Sequence, residues 1–304
     1  MKIYQNYTVS ELSELIINSK QKLSLDDCYT YSEFISKQHY ENFPVGSIVV
    51  PKELRKYFYS IYSFSRLADD IADEDFISDR KLKLEILNKL EQSVENILNS
   101  DNINNPILIS LKDTIIKFKL PLSPFLKLIS AFKQDVNFKQ PQNWDEVLLY
   151  CDNSANPIGE LVLRLFDEYN QQNKLLSDNI CTGLQLINFW QDMSRDFKIG
   201  RCYIPIEVLE RQNIKFSQNE LIGDLDKLDL VLSDIYEFTD SIYDQGKNLT
   251  THIKTKRLRL ELLAIISGGD KVLSKSKRLK NKILLIRPKV TKFEFLIILI
   301  KIFL

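Results

Sequence analysis

Two stretches of this sequence set paired aspartates on a helical stripe, and they limit the fold more than any other feature. In residues 62–73, YSFSRLADDIAD, the side chains of Tyr62, Arg66, Asp69 and Asp73 follow at spacings of four, three and four, so they share one face of one helix. The flanking Leu54, Phe58, Ile61, Phe64, Leu67, Ala68, Ile71 and Ala72 are apolar, which predicts that the helix is largely buried. Ionised aspartates on such a helix are costly without a counter-charge. Carboxylates four residues apart lie roughly 6 Å apart at Cβ and repel, and a divalent metal between them is the obvious remedy. A lone match of this kind is more often a solvated acidic helix end. Residues 185–196, QLINFWQDMSRD, change the balance by repeating the pattern: Gln185, Asn188, Asp192 and Asp196 recur at spacings of three, four and four, with Ile180, Leu184, Ile187 and Trp190 on the apolar side. Two such helices are far less expected by chance than one, and they are predicted to face each other across a cavity.

The rest of the sequence agrees with a helical fold. Only 8 glycines and 9 prolines interrupt 304 residues, of which 44% are hydrophobic, a composition that favours long helices over a βαβ alternation. One all-α domain over residues 1–304 is the economical reading. A net charge of zero leaves no basic footprint for nucleic acid. Cys28, Cys151, Cys181 and Cys202 form no CxxC pair, and His39 and His252 are the only histidines, so zinc, disulfide and histidine-based chemistry are disfavoured. The chemistry must rest on carboxylates.

Along the chain, helical patterns run over residues 9–20, 30–40, 51–73, 77–99, 107–118 and 122–138, with a turn at 42–46. Residues 144–166 read as helical apart from 153–159, where Pro157 kinks the helix. Ala155 and Gly159 remove bulk from one face there, leaving room either for a ligand or for a closely packed helix. Ser177 is a candidate cap for the next helix. Helices are expected over 219–248 and 255–283, with Gly268 and Gly269 interrupting the second. The N-terminus lacks the apolar core of a signal peptide, which predicts a cytoplasmic protein. The tail, residues 289–304, mixes lysines with a short apolar run that cannot span a bilayer, so a peripheral contact with the inner face of the membrane is an option beside packing on the protein itself.

A diphosphate ester leaves slowly because its departing oxygens carry concentrated charge. Mg²⁺ held by carboxylates neutralises that charge, and Arg66, Lys198 and Arg201 can add charge-assisted hydrogen bonds. The carbocation left behind needs a dry pocket with aromatic faces, for which Phe58, Tyr62, Phe64, Tyr150, Phe189 and Trp190 are candidates. Spacing and chemistry together point to Mg²⁺-dependent ionisation of a prenyl diphosphate.

The segments 62–73, 150–159 and 185–205 resemble, in order and spacing, the three signature regions of the squalene and phytoene synthase family, all-α class I isoprenoid synthase bundles that join two prenyl diphosphates head to head. The resemblance covers roughly residues 39–275. It implies that Asp69, Asp73, Asp192 and Asp196 are ligands of several Mg²⁺ ions, with Asp70 and Asn188 in support. It further implies that Arg66 and Arg201 contact diphosphate, and that Tyr62 and Tyr150 line the reaction chamber, Tyr150 handling a proton or steadying the cation. Gln185 would line the pocket beside Asn188, and Ser47, Gln191, Lys198 and Tyr203 would complete the substrate-binding set. Residues 43–51 resemble a flap near the pocket mouth.

Within that family, residues 42–47, 154–159 and 186–192 and the pair Gly268–Gly269 are similar to the bacterial hydroxysqualene synthases, which convert presqualene diphosphate to hydroxysqualene. Gln191 stands where phytoene and squalene synthases usually carry arginine, and Arg195 where they usually carry an acid. A neutral amide at 191 could hold a water near the cation, and no nicotinamide cofactor is expected. Two alternatives stay open: a sibling enzyme that condenses two prenyl diphosphates to presqualene diphosphate, dehydrosqualene, squalene or phytoene, and a non-catalytic assembly factor. Assembly factors of this kind have eroded aspartate motifs, whereas both pairs are whole here.

Overall fold

The computed structural model describes residues 23–38, 50–73, 79–100 and 103–303. Backbone packing groups the chain into two compact units, Met1–Asn137 and Phe138–Leu304.

In the first unit, α1 (Leu25–Gln38), α2 (Lys52–Asp73), α3 (Arg80–Glu95), α4 (Pro106–Phe118) and α5 (Ser123–Val136) are built around α2, which packs on the other four. Local chemistry sets the helix starts. Ser24 and Asp27 exchange side-chain and backbone hydrogen bonds ahead of α1, and Asn105 accepts from the amides of Ile107 and Leu108 with Pro106 opening α4. Phe64, Leu67 and Ile71 of α2 are wholly buried, and Phe64 meets Phe125 edge-on with centroids 5.5 Å apart. Where α1, α2 and α4 come close, small hydroxyls replace bulk: Ser32 and Ser110 are 2.9 Å apart and Ser60 donates to Ser110 at 3.3 Å.

The second unit has α6 (Trp144–Ser154), α7 (Asn156–Leu165), α8 (Gln171–Asp196), α9 (Ile206–Glu210), the hairpin β1 (Ile214–Ser217) and β2 (Glu220–Gly223), α10 (Leu228–Gly246), α11 (Leu249–His252), α12 (Lys256–Leu279) and α13 (Lys292–Phe303). Its central helix is α8, which packs on α6, α7, α10, α11, α12 and residues 280–284. Trp190, wholly buried, donates its indole N–H to Thr239 of α10 at 2.8 Å, so the largest side chain of α8 carries no orphaned donor.

Most helices fall where the sequence pattern puts them; four details differ, and one open choice, beside Gly159, is decided. The region 144–166 is two helices that break at Ala155, because Pro157 cannot donate into the preceding turn. The space beside Gly159 is filled: a Cβ there would lie 2.4 Å from the Ser177 hydroxyl and 2.7 Å from Cys181 Sγ, so the small residue serves close packing of α7 on α8. Ser177 is inside α8 and not its cap; Asn170 caps the helix by accepting from Asn173 N–H at 2.9 Å. The start of the expected 219–248 helix is instead a β-hairpin whose two-residue turn, Gln218–Asn219, has positive φ at both positions (51° and 66°). Finally, Gly268 and Gly269 do not interrupt α12, which runs unbroken over Lys256–Leu279. Residues 9–20 lie outside the described residues, as do residues 43–49 of the expected flap.

Candidate active site

In the first unit the polar stripe of α2 is a charged cluster. Arg66 places Nη1 2.8 Å from Asp69 Oδ2 and pairs through Nη2 with Asp70. Asp70 is only 6% exposed, so this guanidinium is the counter-charge that a buried acid requires. The Tyr62 hydroxyl is half-buried on the same helix; burial first, then the neighbouring carboxylates of Asp69 and Asp70, push its pKa above the usual value, with Arg66 opposing. The expected row of Tyr62, Arg66 and Asp69 is therefore present, with Asp70 tied in from the side. Asp73 is the last residue of α2, and its side chain lies outside the described atoms, as do Ser47 and His39.

In the second unit, Gln185, Asp192 and Asp196 are half-buried along α8 and Asn188 is exposed. The helix ends in a single 3₁₀ turn closed by Gly200 at φ 78°; there the Arg201 N–H donates to the Asp196 carbonyl at 2.8 Å. Lys198 on this turn is exposed and Arg201 half-buried. Beyond it, Tyr203 stacks on Phe189 with centroids 3.8 Å apart and planes 8° from parallel. Tyr150 lies against both rings, 5.8 Å from Phe189 and 6.0 Å from Tyr203. Tyr150, Phe189 and Tyr203 thus form one aromatic group carrying two phenol oxygens. Two of the other aromatic candidates do not qualify as a pocket lining: Phe64 and Trp190 have no exposed surface at all and are core.

Sequence reasoning missed one contact altogether. Arg287 grips Asp192, with Nε paired to Oδ1 and Nη2 3.2 Å from Oδ2, and the amide of the adjacent Gln191 donates to the Pro288 carbonyl at 2.7 Å. Two consecutive residues of α8 therefore hold two consecutive residues of the C-terminal segment. One N–H of the Gln191 amide is thus donated to that backbone carbonyl. Arg287 is 95 positions from Asp192 in sequence, beyond the reach of any helical spacing; its one sequence signal is an arginine just ahead of a proline in the tail.

Among the described residues, no three His, Cys, Asp or Glu side chains gather in a way that could hold a metal. The donors on the two stripes are carboxylates, the oxygen ligands that suit Mg²⁺. Asp69, Asp70 and Asp192 carry guanidinium partners in the meantime, so the fit to that ion rests on donor chemistry.

An all-α fold whose two central helices each carry an aspartate stripe defines the isoprenoid synthase class. Residues 36–294 match the squalene/phytoene synthase family, and the chain belongs to that family, whose members are enzymes acting on prenyl diphosphates. It is 33% identical to a hydroxysqualene synthase of Rhodopseudomonas palustris over 233 residues, 76% of this chain and 78% of that one. A hydroxysqualene synthase of Zymomonas mobilis is 32% identical over 236 residues, 74% of this chain and 75% of that protein. Among solved structures, a squalene synthase of Alicyclobacillus acidocaldarius superimposes with a TM-score of 0.75 at 30% identity, covering 84% of this chain and 95% of the other.

Proposed function

We propose that this chain is a hydroxysqualene synthase: it ionises presqualene diphosphate and captures the rearranged cation with water, releasing hydroxysqualene, diphosphate and a proton. The observation that carries this reading is the charge on the two stripes. Carboxylates on the central helices α2 and α8 are paired with the guanidinium groups of Arg66 and Arg287, and carboxylates are the oxygen ligands through which a divalent ion holds a diphosphate. The likeness to two proteins named hydroxysqualene synthase supports the choice of reaction.

In this reading Asp69, Asp73, Asp192 and Asp196 hold Mg²⁺, with Asp70 and Asn188 beside them, and the ion supplies charge neutralisation for the departing diphosphate. Arg66, Lys198 and Arg201 bind the diphosphate oxygens directly. Ser47, Gln185 and Gln191 position the substrate, Gln191 through its hold on Pro288. The rings of Tyr62, Tyr150 and Tyr203 offer negative faces to the cation, and the Tyr150 phenol takes or returns a proton at the end of the rearrangement. No nicotinamide takes part, because water and not hydride quenches the cation.

Both aspartate pairs serve the same ionisation. Asp69→Asn and Asp192→Asn are each expected to lower turnover of presqualene diphosphate by about 10²–10³-fold, since each removes charge where the departing oxygens need it most. A double variant no slower than either single one fits joint action. Near-normal diphosphate release by both single variants would end this assignment.

A further inference from the structure

The C-terminal helix α13 is apolar on two opposite faces, and among the described residues only one of them is packed. Its start is fixed by a capping box, in which Thr291 N–H donates to Glu294 Oε2 at 2.9 Å and Glu294 N–H to Thr291 Oγ1 at 3.2 Å. Its inner face is fixed to α12: Glu294 pairs with Lys275 at 2.6 Å and Lys271 at 3.4 Å, and Phe295, Ile298, Leu299 and Ile302 on the same side are partly covered. Lys275 also donates to the Lys289 carbonyl at 2.7 Å, and Arg287 and Pro288 are held by α8. The helix is thus seated in one orientation.

That orientation leaves a second stripe pointing outward. Phe293, Leu296, Ile297 and Ile300 follow the i, i+3, i+4, i+7 rule of a single helix face, and they are 71%, 52%, 37% and 46% exposed. At about 100° per residue, Lys292 and Lys301 fall about 90° to either side of this stripe, and both are exposed. Lys280, Lys282 and Lys289 in the approach to the helix are exposed as well, and Glu294, turned inward, is the only acid after residue 270. An apolar stripe edged by lysines on both sides suits a plane that is apolar inside and anionic outside, with the lysine stems lying along the apolar surface and their ammonium groups reaching the headgroups. The helix has 12 residues, about 18 Å long against a hydrocarbon core of about 30 Å, so it lies in the interface and does not cross.

We propose that the outer face of α13 docks the protein onto an anionic lipid surface. This surface acts independently of the reaction assigned above. The test is flotation of the full chain with vesicles of phosphatidylcholine alone and with vesicles that are an even mixture of phosphatidylcholine and phosphatidylglycerol. The wild type is expected to float with the mixed vesicles and at least about tenfold less with the neutral ones. Leu296→Glu combined with Ile300→Glu is expected to abolish flotation with far-ultraviolet circular dichroism unchanged. Lys292→Glu combined with Lys301→Glu alters only exposed edges and is expected to reduce flotation at least tenfold without touching the packing on α12. Wild-type protein that stays unbound, or equal flotation of either double variant, would overturn the proposal. So would a wild-type dimer in light scattering that the Leu296/Ile300 variant splits while neither protein binds vesicles, because a second copy would then be the occupant.

Discussion

At the scale of single residues, the decisive contacts are those between carboxylates and guanidinium groups. Spacing alone exposes Arg66 beside Asp69 and Asp70, because all three lie within one turn of α2 and helical geometry is written into the sequence. The Arg287–Asp192 pair is closed by the fold, and no local rule could have found it. This pair has a measurable consequence. A divalent ion at Asp192 competes with the guanidinium, so Arg287→Gln is expected to tighten binding of Mn²⁺, read by electron paramagnetic resonance, by about five- to tenfold, the equivalent of about 1 kcal/mol for a partly exposed charged hydrogen bond. Unchanged affinity would mean that the pair does not compete with metal. Glu261 of α12 offers a separate test. It is 6% exposed and its Oε2 has no hydrogen-bond partner among the described residues, and burial pushes its carboxyl from 4.5 up to about 7. Since the folded-state pKa is the higher one, the native protein holds a proton that the unfolded chain releases. The associated stability is present below about pH 4.5 and is lost as pH rises through about 7. Relative to Glu261→Gln, the wild type should lose roughly 3 kcal/mol across that interval, measured by urea unfolding at each pH; parallel curves for the two proteins would refute this.

At the scale of elements, the helices were legible wherever apolar residues recur at helical spacing and a cap or proline marks the start, as at Asn105–Pro106. The misreadings share a cause: the meaning of a glycine, a serine or an asparagine depends on what packs against it. Gly268 and Gly269 look like one break, yet the two differ completely in surroundings. A Cβ at Gly269 would lie 2.4 Å from the Tyr243 hydroxyl oxygen and 2.8 Å from Leu184, whereas nothing lies within 4 Å of one at Gly268. Gly268→Ala should therefore stabilise the protein by about 1 kcal/mol through helix propensity, and Gly269→Ala should destabilise it by about 1–3 kcal/mol through overpacking. Thermal unfolding of both variants checks the opposite signs; equal shifts would contradict the packing of α12 on α8 and α10. The hairpin was hidden for a related reason. Residues 214–223 are too short and too mixed to show a period of two, and the turn depends on Gln218 and Asn219 adopting positive φ, a preference that only asparagine advertises.

At the scale of the whole molecule, the class of protein followed from chemistry more than from shape. Two aspartate stripes, no histidine or cysteine cluster and few glycines leave few alternatives to an all-α enzyme that handles diphosphate, and the fold and the family agree with that reading. Among the described residues no helix is long and apolar enough to cross a membrane. The choice of reaction is finer. In the reading proposed above it turns on how the cation is quenched, and Gln191 and Arg195 stand beside the second stripe without naming the product. Product analysis decides it most directly: purified protein with Mg²⁺ is given labelled presqualene diphosphate or farnesyl diphosphate, each with and without NADPH, and the extracts are resolved into alcohol, hydrocarbon and diphosphate. Hydroxysqualene is expected from presqualene diphosphate, equal in amount with and without NADPH, with little consumption of farnesyl diphosphate. Rapid conversion of farnesyl diphosphate to presqualene diphosphate, or squalene formed only with NADPH, would contradict the proposed reaction.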